Sequence, residues 1–311
     1  MKKNRLISLI IRIFKSICTI KKKLLWTYSF LIVSQELLIL LTLFIPKMII
    51  EALLQGKTKL AFYAVGLLII GSIFLTLSNK LLRQYINNFL NEIRLYYSIQ
   101  LNKTFMEMDF ERVETAEIRE KKNLAFEGLE NYIQIINNLF QTIQNIISIF
   151  VIAVSIFVYD IILIGLVVIG ASIYFLFQYK LLPDDLNMHE EFNKLFTKWG
   201  YIAQTTRNID NAKEIRFYDL SEWLSKKASY FAQDNRKLLL KSTKLDLIKE
   251  IIRNLISNIE FFLIYIYVIN QAIVGHITIG QFTQYISALI TFSNSLFQIA
   301  ANGVALKKIV Y

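Results

Sequence analysis

Proline and glycine are both scarce in this sequence of 311 residues, which contains two prolines and ten glycines. Sheets need frequent turns and turns depend on these two residues, so the scarcity favours long uninterrupted helices over strands. Cysteine is rarer still, because Cys18 is the only one. One cysteine excludes a disulfide framework within the chain and any metal site built from several thiolates.

Charged residues are also few, at 19% of the sequence, whereas a typical soluble domain has about 25%. Apolar residues make up 55%, against roughly 45–50% in a soluble domain. A chain this long and this apolar is not expected to stay dissolved around one core. The net charge of +11 could suggest a nucleic-acid partner. The basic residues, however, avoid the apolar runs and gather between them, which is typical of a membrane protein. We therefore expect the lipid bilayer as a partner and no nucleic acid.

Six apolar runs each approach the ~20 residues that a helix needs to cross a bilayer. They occupy about residues 24–45, 60–79, 133–157, 161–179, 253–274 and 281–302. Only helices and closed barrels satisfy their backbone groups in lipid, and the alternating pattern of barrel strands is missing here. The predicted fold is an all-α polytopic membrane protein with six transmembrane helices.

The orientation of the six spans follows from the placement of Lys and Arg. All but four of the 35 lie in residues 1–23, in the segments 80–132 and 180–250, or in the C-terminal tail. The positive-inside rule then puts both termini and both long loops in the cytoplasm. Residues 1–23 carry eight basic residues and no acidic one, which predicts an amphipathic helix in the inner interface, with a disordered basic tail as the alternative. The expected location is a bacterial plasma membrane.

The two long loops are predicted to be helical. No Gly or Pro occurs between Gly71 and Gly128, and none between Gly200 and Gly275. At ~1.5 Å per residue, an extension of about 25 residues would reach nearly 40 Å beyond the bilayer. Each loop must then turn back, and residues 109–117 and 211–220 are the candidate turning points.

Polar residues within the spans mark a candidate substrate pathway. In the sixth span they recur every three or four positions, on one face of a helix: Gln281, Gln284, Ser287, Thr291, Asn294, Gln298 and Asn302. The third span has a similar stripe: Gln134, Asn138, Gln141, Asn145 and Ser148. Such residues either line a wet cavity or form hydrogen bonds between helices, and both readings stay open.

Two carboxylates, Glu36 and Glu260, lie inside apolar runs. A carboxylate within the membrane is a functional candidate, and both could face the cavity and favour a cationic substrate. The alternative is a carboxyl group that is hydrogen-bonded to Tyr, Ser or Asn neighbours or protonated by desolvation.

Three motifs in this topology resemble the transmembrane domain of ABC exporters with six spans per half. Asp109-Phe110-Glu111, followed by Val113-Glu114 and Ala125, is similar to the first coupling helix of that family. Residues 212–218, Ala-Lys-Glu-Ile-Arg-Phe-Tyr, are similar to the second. Residues 275–282, Gly-His-Ile-Thr-Ile-Gly-Gln-Phe, resemble the turn that opens the sixth span. The resemblance covers essentially the whole chain.

The resemblance implies a dimer of such halves, homomeric or heteromeric, and alternating access driven by ATP and Mg²⁺ on nucleotide-binding domains. Phe217 and Tyr218 would fill a groove on such a domain. Lys213, Glu214 and Arg216 would frame them, and Phe110 with Glu111 would make the corresponding contact in the first loop. The alternative for these aromatics is an ordinary amphipathic turn that covers the loop's own core. The transported substrate would be a peptide, a lipid or an amphipathic small molecule.

The sequence departs from the family in having no Gly-x-x-x-x-Gly-Lys-Ser/Thr loop to hold a nucleotide phosphate. We therefore expect no ATP chemistry and no cofactor in this chain. The nucleotide-binding domain would lie beyond Tyr311 in a longer polypeptide or on a separate subunit. A gradient-driven secondary transporter is the alternative, although such proteins favour spans broken by Gly or Pro. His189 and His276 have no companions at metal-ligand spacing, so no metal site or membrane enzyme is expected.

Overall fold

The computed structural model describes residues 22–113, 115–157 and 161–310. These residues are almost entirely helical, with 94% in helix and no strand among them. The predicted interfacial helix over 1–23 lies outside the described residues except for its last two positions. Glu114 and residues 158–160, between the third and fourth predicted spans, also lie outside the described residues.

Eight α-helices follow one another in the described ranges. They are α1 (Lys22–Leu54), α2 (Thr58–Met106), α3 (Phe110–Val113), α4 (Ala116–Phe157), α5 (Ile161–Arg207), α6 (Ala212–Phe217), α7 (Ser221–Ile273) and α8 (Ile279–Val310). A short 3-10 helix, Ile209–Asn211, precedes α6. All except α3 and α6 are long, and these six long helices are each apolar enough to cross a membrane. The predicted all-α fold is thus confirmed, and the six long apolar helices are compatible with a polytopic membrane protein.

The helices extend well beyond the predicted spans. The first apolar run ends at about residue 45, but α1 continues through Pro46 to Leu54. α2 has 49 residues and α7 has 53, more than twice the ~20 that a bilayer crossing needs. In α2 and α7 the lack of Gly and Pro beside the apolar runs explains this continuity, because nothing there interrupts the helical hydrogen bonds. The helices α1 and α5 continue in spite of Pro46 and Pro183.

The chain divides into two compact units. The first combines the residues up to Ala171 with those from Glu260, and the second is Ser172–Ile259. One core cluster of the first unit joins α1, α2 and α4 through side chains such as Leu24, Ile93 and Ile136. Another joins α1, α4, α5, α7 and α8, and includes Val167 and Leu289.

Large apolar side chains cover much of the outer surface of α2 in the first unit, including Phe62, Tyr63, Ile70 and Phe74. Exposed apolar area of this extent is rare in soluble proteins. It is the surface that a membrane-spanning helix presents to lipid, where burial inside the protein is not needed to remove it from water.

In the second unit, α5 and α7 run antiparallel and are joined by one largely buried ion pair. Lys249 Nζ lies 2.6 Å from Asp185 Oδ1, and the two side chains are only 13% and 12% exposed. Further along, Trp199 stacks on Phe231 with ring centroids 4.4 Å apart. The ion pair holds Lys249 of α7 opposite Asp185 of α5, and removing either partner would leave a largely buried charge uncompensated.

The turn into α8 explains the third sequence motif residue by residue. Gly275 has φ +82°, a conformation that few other residues adopt. Thr278 Oγ1 accepts a hydrogen bond from the Gln281 backbone N–H at 3.1 Å, and Gln281 Oε1 accepts one from the Thr278 N–H at 2.8 Å. This reciprocal pair is a capping box that starts the helix. Thr278 Oγ1 also donates to Glu51 Oε1 of α1 at 3.2 Å.

At Gly280, α8 lies close against α1. A Cβ atom there would lie 2.7 Å from Glu51 Cγ and 3.1 Å from the Lys47 carbonyl oxygen. We predict that Gly280→Ala lowers the stability of the purified protein by about 1–3 kcal/mol, because the Lys47 backbone cannot move aside. The measurement is thermal unfolding in detergent, followed by tryptophan fluorescence.

Gly303→Ala is the matched control, because Gly303 lies in the same helix with nothing within 4 Å of its ideal Cβ. This control should be neutral or stabilising, since Ala favours a helix by about 1 kcal/mol over Gly. Equal stability of the two variants would contradict the close approach.

Candidate functional site

A polar cavity of about 450 Å³ lies within the first unit, between α1, α2, α4 and α8. Its polar lining comes from all four helices: Tyr28, Arg83, Asn87, Asn137, Gln141, Gln144 and Gln298. Pockets of roughly 300–1,000 Å³ hold small ligands in other proteins. This polar cavity is the candidate ligand-binding site.

One side of the polar cavity is held rigidly by Tyr28. Its hydroxyl donates a hydrogen bond to Asn137 Oδ1 at 2.8 Å, and its ring stacks on Phe140 with centroids 3.7 Å apart and the planes 4° from parallel. The bond joins α1 to α4 and fixes which way the Asn137 carboxamide points. The NH₂ group of Asn137 can then donate a hydrogen bond to another acceptor.

The sixth-span stripe is divided between the polar cavity and the protein interior. Gln298 lines the cavity, whereas Gln284 is buried. Ser287, Thr291 and Asn294 are half-buried, and the Thr291 hydroxyl donates to the Ser287 carbonyl 2.8 Å away. This hydrogen bond lies within α8 and does not join two helices, so of these five residues Gln298 alone matches one of the two readings, the lining of a cavity. Gln281, the first member, serves the capping box instead.

The third-span stripe is divided in the same way. Gln141 lines the polar cavity, while Asn145 and Ser148 are buried. Sequence reasoning missed five polar lining residues: Tyr28, Arg83, Asn87, Asn137 and Gln144. Asn137 and Gln144 lie one helical step from members of the predicted stripe. Arg83 and Asn87 are four apart on one face just past the second predicted span, a pairing that could have drawn attention to them.

Glu36 and Glu260 do not line the polar cavity. Both are buried within the first unit. Ser148 Oγ donates a hydrogen bond to Glu36 Oε1, and Ser293 Oγ donates to Glu260 Oε2 at 3.1 Å. Each carboxyl group therefore joins two helices, which matches the alternative of a serine-bonded carboxyl rather than a cavity-facing one.

The tip of the second unit is formed by α6, between the ends of α5 and α7. The Leu220 N–H bonds to the Ile215 carbonyl at 2.9 Å and the Asp219 N–H to the Arg216 carbonyl at 3.4 Å. Asp219 itself has φ +45°. These features make a Schellman motif, which ends a helix and reverses the chain.

This end geometry leaves the two aromatic side chains in solvent. Phe217 is 82% exposed and Tyr218 67%, and their rings meet edge to face at 5.1 Å. Lys213, Glu214 and Arg216 are also exposed. The alternative in which these aromatics cover the loop's own core does not match this exposure within the second unit.

The corresponding turn of the first long loop contains α3. Phe110 is its first residue and is 77% exposed, and Glu111 follows it on the surface. Each of the two long loops thus reverses at a short helix, of one or two helical turns, that carries an exposed Phe.

No group of His, Cys, Asp and Glu that could hold a metal ion occurs among the residues that the structure describes. Comparison with known proteins gives no further guide to function: the sequence matches no protein-family model and none of the curated proteins.

The Schellman motif predicts how Asp219 tolerates substitution. Asp219→Val should unwind the end of α6, because a β-branched residue at positive φ costs about 1–3 kcal/mol. The measurement is hydrogen exchange of the backbone amides at positions 218 and 220. We expect Asp219→Gly and Asp219→Asn to keep their protection, since both residues adopt this conformation readily.

The glycine variant also removes the contact between the Asp219 carboxylate and Ser221 Oγ, which are 3.4 Å apart. Loss of protection in both Asp219→Gly and Asp219→Val would show that the side-chain contact matters instead of the backbone conformation. Full protection in Asp219→Val would contradict the account.

Proposed function

We propose that this chain is the membrane-spanning half of an ATP-driven exporter of the ABC type. The observation that carries the proposal is the tip of the second unit, where a two-turn helix presents Phe217 and Tyr218 to solvent at the end of two long helices. The motif resemblance in residues 109–125, 212–218 and 275–282 supports the same conclusion.

The tip has the composition of a docking surface. Exposed aromatic residues dominate the binding energy of many protein interfaces, and charged residues around them set orientation. Phe217 and Tyr218 would enter a groove of a nucleotide-binding domain, with Lys213, Glu214 and Arg216 at its rim. Phe110 and Glu111 would make the smaller second contact through α3. The domain that binds ATP and Mg²⁺ would be attached in cis or supplied in trans.

The long helices would transmit the motion of that domain. α5 and α7 each run without a break from the tip region into an apolar span, and the buried pair of Lys249 and Asp185 prevents them from sliding against each other. A displacement of α6 is then passed along the helices rather than absorbed in a flexible loop. A second transmembrane half would complete the pathway, and alternating access would expose the polar cavity to each side in turn.

The test uses the complete assembly, isolated from membranes through a tag on this chain, in a Cys18→Ser background. Gln298→Cys places a reporter thiol in the wall of the polar cavity, and its rate of maleimide labelling is measured with and without ATP. We predict that ATP changes this rate severalfold. The double variant Phe217→Ala and Tyr218→Ala should continue to hydrolyse ATP while the labelling rate becomes independent of ATP.

Tyr201→Ala with Tyr230→Ala is the matched control, because these side chains are equally exposed on α5 and α7, away from the tip. This control should keep the ATP effect. A normal ATP effect in the tip variant would rule out the docking role. After reconstitution into sealed vesicles, a labelling rate that ignores ATP but responds to an imposed ion gradient would instead establish a secondary transporter.

A further inference from the structure

We propose that the polar cavity binds the carboxylate end of a short peptide, with Arg83 as its counter-ion. The proposal rests on the proposed function only in that a permease must hold its substrate between its own helices. Three properties of the cavity carry the inference: the charge of its lining, the hydrogen-bonding groups that are left free, and its size.

The charge of the lining favours an anion. Of the described residues that line the polar cavity, Arg83 alone is charged, and no carboxylate in the described ranges forms an ion pair with it. Glu36, on the same helix as Tyr28, is occupied by Ser148 instead. A guanidinium group is always charged and offers only donors, in a planar fork that fits a carboxylate. A cationic ligand would meet a like charge without compensation.

The free carboxamides favour a ligand that contains amide groups. Asn87, Gln141, Gln144 and Gln298 line the cavity, and none of their side chains bonds to another residue that the structure describes. Each carboxamide can donate and accept at the same time. A peptide group also has one donor and one acceptor, so a peptide backbone can form hydrogen bonds with these carboxamides. A simple carboxylic acid would leave most of the carboxamides bonded to water.

The size and shape of the cavity decide between the remaining anions. A volume of about 450 Å³ is far larger than an inorganic anion needs. An anionic lipid would place its acyl chains against carboxamides, which costs free energy unless each is hydrogen-bonded. The stacked rings of Tyr28 and Phe140 form one apolar wall, which provides a surface for a single peptide side chain.

The closing experiment measures binding without ATP and without any nucleotide-binding domain. The full chain is placed in phosphatidylcholine nanodiscs and incubated with two libraries of N-acetylated random tripeptides, one with free carboxyl ends and one amidated. Retained peptides are quantified by mass spectrometry. We expect the free acids to bind roughly tenfold or more tightly than the amides, because a hydrogen bond to a charged group is among the stronger ones.

Arg83→Gln should abolish the preference for free acids, and Arg83→Lys should keep part of it, since the charge remains but the fork is lost. Lys80→Gln is the matched control. Lys80 is exposed one helical turn before Arg83 and does not line the cavity, so the preference should persist. Gln141→Met, a change of similar volume, should weaken the binding of acids and amides alike. Each variant is checked for a single symmetric peak in gel filtration.

Equal retention of acids and amides, a preference that survives Arg83→Gln, or no retention of either library would overturn the proposal. So would displacement of the peptides by phosphatidylglycerol in the nanodisc, since the site would then belong to a lipid headgroup. Failure of ATP coupling leaves these results unchanged, because no ATP is present. An ATP effect on the thiol at position 298 without peptide binding would keep the exporter and reject this ligand.

Discussion

The requirement that every backbone N–H and C=O be hydrogen-bonded inside a bilayer is the constraint on which the rest of this structure depends. Helices meet it within one segment, so the six apolar runs all become helices. Once a helix has begun, only Gly, Pro or a cap ends it cheaply, and the segments after the second and fourth spans contain almost none. The helices therefore continue far past the apolar runs, and the turns at Asp219 and Gly275 fall where a residue adopts positive φ.

Polar side chains inside the first unit fall into two groups, according to whether they are hydrogen-bonded to another helix or line the polar cavity. Glu36 and Glu260 are buried and bonded to serines of neighbouring helices, where they help to hold the helices together. Arg83 and the carboxamides around the polar cavity remain available. Our proposal for solute binding uses the second group, in which Arg83 is the one charged residue among the described lining residues. The two carboxylates that the sequence offered as substrate contacts, Glu36 and Glu260, do not line this cavity.

The sequence predicts helix number and type well because hydropathy and the absence of breakers act locally. It predicts the extent of α1 poorly, because Pro46 marks an expected end that the helix passes through. It also fails to assign Arg83 to a site. The carboxamides of α4 and α8 show their periodicity within an apolar run, whereas Arg83 lies among other charged residues after the second span. Only packing brings it to Gln298, which lies more than two hundred positions later. Likewise, Gln281 shares the stripe's spacing, but its neighbours in the turn assign it to a cap.

The central claim is that the tip of the second unit docks on a nucleotide-binding domain, and site-specific photocrosslinking in native membranes tests it most directly. A benzoyl-phenylalanine at position 217 should form an adduct with a polypeptide segment that contains a Gly-x-x-x-x-Gly-Lys-Ser/Thr loop. The same group at position 201, equally exposed on α5, should not. Adducts from position 217 with lipid alone, or with proteins that lack such a loop, would contradict the account.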